Sequence, residues 1–141
     1  MLEKYPNDVK LVLVNLPLPM HTFARKAAIA AIAAARQGKY WEMHTKLFAN
    51  QKELGDAKVD VIARELGLDM EKFNQDLKDP SIASLIERDM ASAQRAHVQG
   101  TPTIFVNGKL LNQRSLPGFQ QAIDGELKKV KLTRDTPPAR Q

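Results

Sequence analysis

The chain is organised around the sequence GTPTIFVNG, which runs from Gly100 to Gly108. Thr103–Val106 is a run of β-branched and aromatic residues, which predicts a short strand. Asn107 and Gly108 follow it and are typical of a type I′ hairpin turn, because both central residues of that turn need a positive φ. We therefore expect Lys109–Leu111 to return as the antiparallel partner strand.

Pro102 stands at the head of this strand, where the missing N–H of proline costs no ladder hydrogen bond. The Gly-Thr-Pro-Thr order around it indicates a tight turn, and an X-Pro bond is the common place for a cis peptide. In such a turn Thr101 would present its backbone N–H and C=O outward, where an extended peptide could pair. Spacing alone favours an ordinary strand that begins with proline.

Upstream, Val9–Leu16 is a nearly continuous apolar run with one lysine, Lys10, which predicts a strand buried on both faces. Met1–Lys4 has the character of the last turn of a helix. Pro17 and Pro19 end the predicted strand.

Most of the remaining chain is predicted to be helical. The expected helices are Thr22–Arg36, Lys39–Asn50, Asp56–Leu66, a short helix capped by Asp69, a long helix from Asp79-Pro80 to about His97, and a last helix from Ser115 or Leu116 to about Leu127. Ala-rich composition, acidic N-caps and a glycine after the last turn indicate these helices. The expected core residues of these helices are Phe23, Ile29, Ile32, Trp41, Leu47, Phe48, Met70, Phe73, Leu77, Ile82, Leu85, Ile86, Met90, Ala93, Phe119, Ile123 and Leu127.

Composition excludes several classes of function. The chain has 141 residues, a net charge of +5, 6% aromatic residues and no cysteine. Without cysteine it has no disulfide, no thiolate metal ligand and no thiol nucleophile. No apolar run approaches the length of a membrane span, no secretory signal is recognisable, and no basic cluster contains aromatic residues, which argues against nucleic-acid binding.

Other polar residues give no catalytic pattern. His21, His44 and His97 lack metal-ligand spacing, so we expect neither a metal nor a cofactor. Ser115 lacks the context of a nucleophile and is interpreted as a helix cap. The carboxylates Glu42, Asp76 and Glu87 are expected on solvated helix faces, in weak helical pairs.

Four separated motifs resemble the DsbA-like thiol:disulfide oxidoreductases of the thioredoxin superfamily. They are Asn15–Leu18 with His21 and the Ala-rich helix, Gly38–Gln51, Leu66–Asp69, and Gly100–Gly108, and the resemblance runs in order from about Tyr5 to Leu127. In that family the proline of the Gly-Thr-Pro-Thr sequence is cis and lies beside a Cys-x-x-Cys active site. This chain departs from the family pattern because it has no cysteine.

The resemblance implies an α/β thioredoxin-like fold with an all-helical insertion at about residues 22–97, missing the first strand and active-site helix. It implies one domain over residues 1–127, and the basic, proline-containing composition of residues 128–141 predicts a disordered tail. It also implies that Gly100, Thr101 and Pro102 bind substrate backbone, that no residue of this chain is catalytic, and that the protein works in the periplasm or cell envelope.

Two functions fit this implication. The chain could be the larger part of a disulfide-exchanging enzyme, without the redox cysteines, or a cysteine-free module that binds peptides. By the strand order of the family, Val9–Leu16 and Thr103–Val106 have lost a shared neighbour. The two strands could close up and pair directly, or the gap could be filled by an extended polypeptide, by the missing N-terminal segment, or by a second copy in a homodimer that could be strand-swapped. We expect the homodimer, because direct closure must also move the helical insertion that connects the two strands.

Overall fold

The computed structural model of the protein describes residues 2–135, with side chains as far as Val130. The chain divides into two compact units. We call Val14–Gln99 the helical unit, and Met1–Leu13 together with Gly100–Gln141 the sheet unit. The helical unit contains α1 (Ala24–Ala35), α2 (Tyr40–Ala49), α3 (Asp56–Glu65), α4 (Met70–Asp76) and α5 (Pro80–Arg95). The sheet unit contains a short 3-10 turn (Leu2–Lys4), β1 (Phe105–Val106), β2 (Lys109–Leu110) and α6 (Leu116–Asp135).

Helix ends in the helical unit follow local signals. The Asp69 side chain caps α4 by accepting from the Lys72 N–H at 3.1 Å. Asp79 caps α5 by accepting from the Ser81 N–H at 2.8 Å, and Pro80 occupies the first turn. These local rules explain why the predicted and observed helices agree to within about two residues, as boundary assignments usually do.

The core of the helical unit lies between its helices. Phe73, Met43, Ile62, Ile82 and Ile86 are its largest fully buried side chains. Alanines of α1 pack against them, since small side chains let neighbouring helices approach closely. The predicted core positions Leu47, Phe73, Ile82 and Ile86 are confirmed.

Two predicted core residues of α2 are wrong. Trp41 and Phe48 are 50% and 63% exposed, because Met43 and Leu47 form the buried stripe of that helix. With Tyr40 and His44 they form a chain of ring contacts, such as the 4.7 Å between the His44 and Phe48 centroids. The sequence of α2 contains two apolar stripes, and its pattern alone does not show which of them packs against the other helices.

The prediction that Asp76 lies on a solvated helix face is also wrong. It is buried at the end of α4, where its Oδ1 accepts from Arg36 Nη1 at 2.5 Å. The same guanidinium donates to Asp79 at 2.6 Å and to the Ser81 hydroxyl at 2.7 Å. Arg36, at the C-cap of α1, therefore joins that helix to the turn between α4 and α5. This contact between distant segments has no signature in the local sequence around Asp76.

In the sheet unit, β1 and β2 form an antiparallel hairpin in which Phe105 pairs with Leu110 and Val106 pairs with Lys109. The turn residues Asn107 and Gly108 have φ of 46° and 77°, which confirms the type I′ prediction. The predicted strand Thr103–Val106 is shortened to two residues, although the Leu111 N–H also donates to the Ile104 carbonyl at 2.8 Å.

The other end of the chain contributes no strand to this unit. The side chains of Leu11, Val12, Leu13 and Val14 are 46%, 65%, 41% and 53% exposed. Within residues 2–135 no strand pairs with them, so the predicted buried strand at Val9–Leu16 is wrong for the chain alone. The reason is that a strand, unlike a helix, takes its hydrogen-bond partners from another segment.

The last helix packs its apolar side toward the hairpin, with Ile123 buried and Phe119 half-buried. Tyr5 is tied to the same helix by its hydroxyl, which donates to Asp124 Oδ1 at 2.8 Å. This hydrogen bond raises the pKa of Tyr5. The helix continues to Asp135 instead of ending at Leu127, so part of the predicted tail is helical, and residues 136–141 of that tail lie outside the described residues. The mixture of helices with a short sheet agrees with the α/β class implied by the resemblance.

Burial in the helical unit predicts unequal effects for two phenylalanines. Phe73→Ala removes a side chain with no exposed surface, so we expect a loss of about 3–5 kcal/mol in the free energy of unfolding. Phe48→Ala is the matched control on an exposed position, and we expect a change within about 0.5 kcal/mol. Urea unfolding followed by circular dichroism measures both. Equal losses would contradict the assignment of the α2 face.

Candidate substrate-binding loop

The candidate site is the loop Gly100–Thr103, which leads into β1. Thr101, Pro102 and Thr103 are exposed and Gly100 is half-buried, and the Thr101–Pro102 peptide bond is cis. Among the described residues no group is hydrogen-bonded to the Thr101 N–H or C=O. These two groups are therefore available to an extended backbone, as β-augmentation requires.

Two side chains hold the shape of this loop. The Thr103 hydroxyl donates to the Gly100 carbonyl at 2.6 Å. Arg114, in the segment between β2 and α6, donates from Nη1 to the Pro102 carbonyl at 2.7 Å. Both contacts act on the carbonyls that flank Thr101, so they fix the loop while leaving the backbone groups of Thr101 free. Sequence reasoning missed Arg114, because an arginine in a polar connecting segment carries no recognisable signal.

An ion-pair cluster fixes the hairpin against α6. Glu126 accepts from Lys109 Nζ at 2.7 Å and from Lys129 Nζ at 2.6 Å, and the Asn107 amide approaches it at 3.5 Å. The hydrogen bond from Lys109 is the largest of the effects that lower the pKa of Glu126 to about 2. The cluster therefore positions the turn at the far end of β1 from the loop.

The remaining candidates do not form a reactive site. Glu42 and Glu87 lie on exposed surfaces and pair with Lys39 at 3.1 Å and Arg25 at 2.6 Å. Ser115 acts as expected for a cap, since its hydroxyl accepts from the Gly118 N–H at 3.3 Å. In the part of the chain that the structure describes, no group of acidic or histidine side chains is arranged to hold a metal ion.

Comparison with known proteins identifies the family. The family model described as thioredoxin matches residues 1–125. The chain belongs to the thioredoxin family. A crystal structure of a thioredoxin-like oxidoreductase from Silicibacter pomeroyi superposes with a TM-score of 0.68 and 32% identity, covering 82% of this chain and 66% of that one. A probable disulfide bond formation protein D of Bacillus cereus is 30% identical over 86% of this chain and 59% of its own length. These matches confirm the DsbA-like resemblance.

Other relatives of this chain carry a different name. The Na⁺/H⁺ antiporter NhaA 3 of Salinispora tropica is 45% identical over 72% of this chain. The match covers 16% of the antiporter's own length, so this chain spans about a sixth of that relative. None of the helices described here is long and apolar enough to cross a bilayer. The similarity is thus to one portion of the antiporter, and the transport activity in its name is not attributed to this chain.

The Glu126 cluster predicts a pH-dependent stability. Because the folded pKa lies near 2, below the ordinary value of 4.5, the contribution of Glu126 is present above pH 4.5 and is lost as the pH falls toward 2. We expect Glu126→Gln to lower the melting temperature at pH 7, and this difference from the parent chain to shrink between pH 4.5 and 2.

The control for this prediction is Glu3→Gln, an exposed position in the same unit. We expect it to leave the melting temperature unchanged across the same pH range. Calorimetry at low ionic strength measures both variants, because salt screens exposed ion pairs. A pH-independent difference for Glu126→Gln would show that the cluster does not titrate as described.

Proposed function

We propose that this chain is the substrate-binding part of a DsbA-family thiol:disulfide oxidoreductase and takes no part itself in thiol chemistry. The observation that carries the proposal is the exposed Thr101 backbone, whose N–H and C=O have no partner among the described residues. The thioredoxin-family match and the disulfide-formation relative support the reaction class. The location that goes with this role is the periplasm or cell envelope.

The chemistry of such an exchange requires two thiols that this chain lacks. One thiolate attacks a substrate disulfide, which forms a mixed disulfide and releases a substrate thiolate. The second thiol then displaces the substrate, so that two electrons and two protons pass from the dithiol to the substrate, or the reverse. In our proposal a different polypeptide segment supplies that dithiol, while Gly100, Thr101 and Pro102 hold the substrate backbone.

A second candidate function uses the same loop without any redox partner. A cysteine-free thioredoxin-family domain binds extended polypeptides by adding a strand at the Thr101 edge. The absence of cysteine is as consistent with this peptide-binding function as with the first proposal. The two candidates differ in whether a Cys-x-x-Cys polypeptide restores disulfide exchange when it is added to the chain.

A chain of this sequence is expected to show no disulfide reductase or oxidase activity. The reason is the absence of any thiol that could form a mixed disulfide. Insulin reduction by dithiothreitol, followed as turbidity, measures the activity, with an active thioredoxin as the positive control. Turnover above the dithiothreitol background in a preparation free of contaminating thioredoxin would contradict the proposal.

Backbone recognition at the loop is tested by two substitutions of one residue. Thr101→Pro removes the N–H that a bound strand would use, while Thr101→Ala removes only the side chain. We expect Thr101→Pro to weaken binding of fluorescent, carboxymethylated lactalbumin about 3- to 10-fold, the effect of losing one backbone hydrogen bond, and Thr101→Ala to bind like the parent chain. Fluorescence anisotropy measures both. Equal affinity for all three proteins would place the binding elsewhere.

We also propose that a second copy of the chain pairs with the unpartnered segment at Leu11–Val14, in a homodimer that is strand-swapped. The support is the exposure of four consecutive apolar side chains, since an open apolar edge recruits another strand. We expect light scattering to give a dimer for the parent chain and a monomer for Val12→Lys. Val61→Lys, at an exposed valine of α3, is the control that should stay dimeric. A monomeric parent chain at high concentration would rule this assembly out.

A further inference from the structure

Two arginines of α5 differ in their contacts from the other arginines whose side chains the structure describes. Arg25 and Arg64 pair with carboxylates at 2.6 Å and 2.9 Å, and Arg114 binds a carbonyl. Arg88 and Arg95 are exposed, and among the described residues neither side chain makes a hydrogen bond or an ion pair of the kind the other arginines make. A guanidinium presents five donors in a fixed planar fork, so these two side chains expose unused hydrogen-bonding capacity.

The same two arginines line one cavity of about 290 Å³ on the surface of α5. Arg88 and Arg95 are seven residues apart, which is almost two helical turns, so both lie on one side of the helix about 10 Å apart along its axis. Ser92 lies between them on that side and adds a hydroxyl to the lining. Leu85 closes the same stripe with an apolar side chain.

The charge of this lining is positive. Asp89 is the carboxylate among the lining residues, and its Oδ2 already accepts from the Asn15 backbone N–H at 2.9 Å and side-chain amide at 2.7 Å. Two neutral donors therefore occupy that oxygen and neither arginine is paired with Asp89, so two guanidinium charges stand against one carboxylate charge in the lining. The unengaged donors at Arg88, Ser92 and Arg95 are those that recognise an oxyanion.

We propose that the cavity lined by Arg88, Ser92 and Arg95 binds a phosphate group. Guanidinium groups match phosphate oxygens with paired, charge-assisted hydrogen bonds, and a hydroxyl between them supplies a further donor. A phosphate also offers more acceptor oxygens than a carboxylate does to the two guanidinium forks and the Ser92 hydroxyl. The site lies toward the C-terminal end of α5, where the helix dipole disfavours anions, so the arginine side chains supply the attraction.

Phosphate titration of the full chain tests this site. Inorganic phosphate is added at constant ionic strength, with chloride and acetate as parallel arms, and backbone amide shifts are followed by NMR. We expect saturable shifts centred on Arg88, Ser92 and Arg95 with phosphate, a weaker response to acetate and none to chloride. Shifts that match those of chloride, that are as large with acetate, or that centre elsewhere would overturn the proposal.

Paired variants separate the cavity from general charge effects. The double variant Arg88→Gln/Arg95→Gln is expected to bind phosphate at least about tenfold more weakly, because each charge-assisted contact it loses has an effect of that order. Arg64→Gln, at an exposed arginine of α3, is the control and should bind phosphate like the parent chain. Circular dichroism confirms folding, and the single variants replace the double variant if it does not fold. Unchanged affinity in the arginine variants would show that the cavity is not the site.

Discussion

The rest of this structure depends on one constraint: each backbone N–H and C=O group needs a hydrogen-bond partner. Helices pair their N–H and C=O groups internally, so the five helices of the helical unit complete a core around Phe73 and Ile86 within one chain. Extended segments need a neighbour for the same purpose. The sheet unit offers one hairpin, and the apolar segment at Leu11–Leu13 has no strand beside it among residues 2–135. The closed core around Phe73 and Ile86 and the exposure of Leu11–Leu13 both follow from this single difference.

Polar contacts then determine how the individual elements are held. In the helical unit Arg36 joins the end of α1 to the turn that contains Asp76 and Asp79, and burial of the Asp76 carboxylate makes that partner necessary. In the sheet unit Glu126 holds the hairpin and Arg114 holds the loop before it. The loop at Thr101 is thereby shaped at its carbonyls from two sides, while its own backbone groups stay exposed. A rigid loop with open backbone groups is the arrangement that recognition of an extended polypeptide needs.

The sequence allowed prediction of features whose causes lie within a few residues. The caps at Asp69 and Asp79 and the turn at Asn107-Gly108 agree with the structure, since each depends on a side chain or a φ angle at that position. The exposure of Trp41 and the lack of a strand beside Val9–Leu16 among the described residues were not predictable in this way. Both depend on which distant segments of the chain lie nearby. For the candidate site, motif resemblance predicts Thr101 and Pro102, whereas Arg114 had no local signal. Nothing in the pattern of α5 marked Arg88 and Arg95 either, because a charged helical stripe ordinarily indicates a solvated face.

Membership of the thioredoxin family leaves the activity to be argued from residues, because one fold carries different functions. Relatives of this chain are named as a disulfide-formation protein and as antiporters, and the matched portion is 59% of the former and 16% of the latter. What this chain has in its own sequence is the loop at Thr101 and no cysteine. Substrate holding and electron transfer are separable steps of disulfide exchange, since the first uses backbone hydrogen bonds and the second uses sulfur. In our proposal a thioredoxin-family chain with this loop and no cysteine takes part in the first step, while a thiol outside this sequence carries out the second.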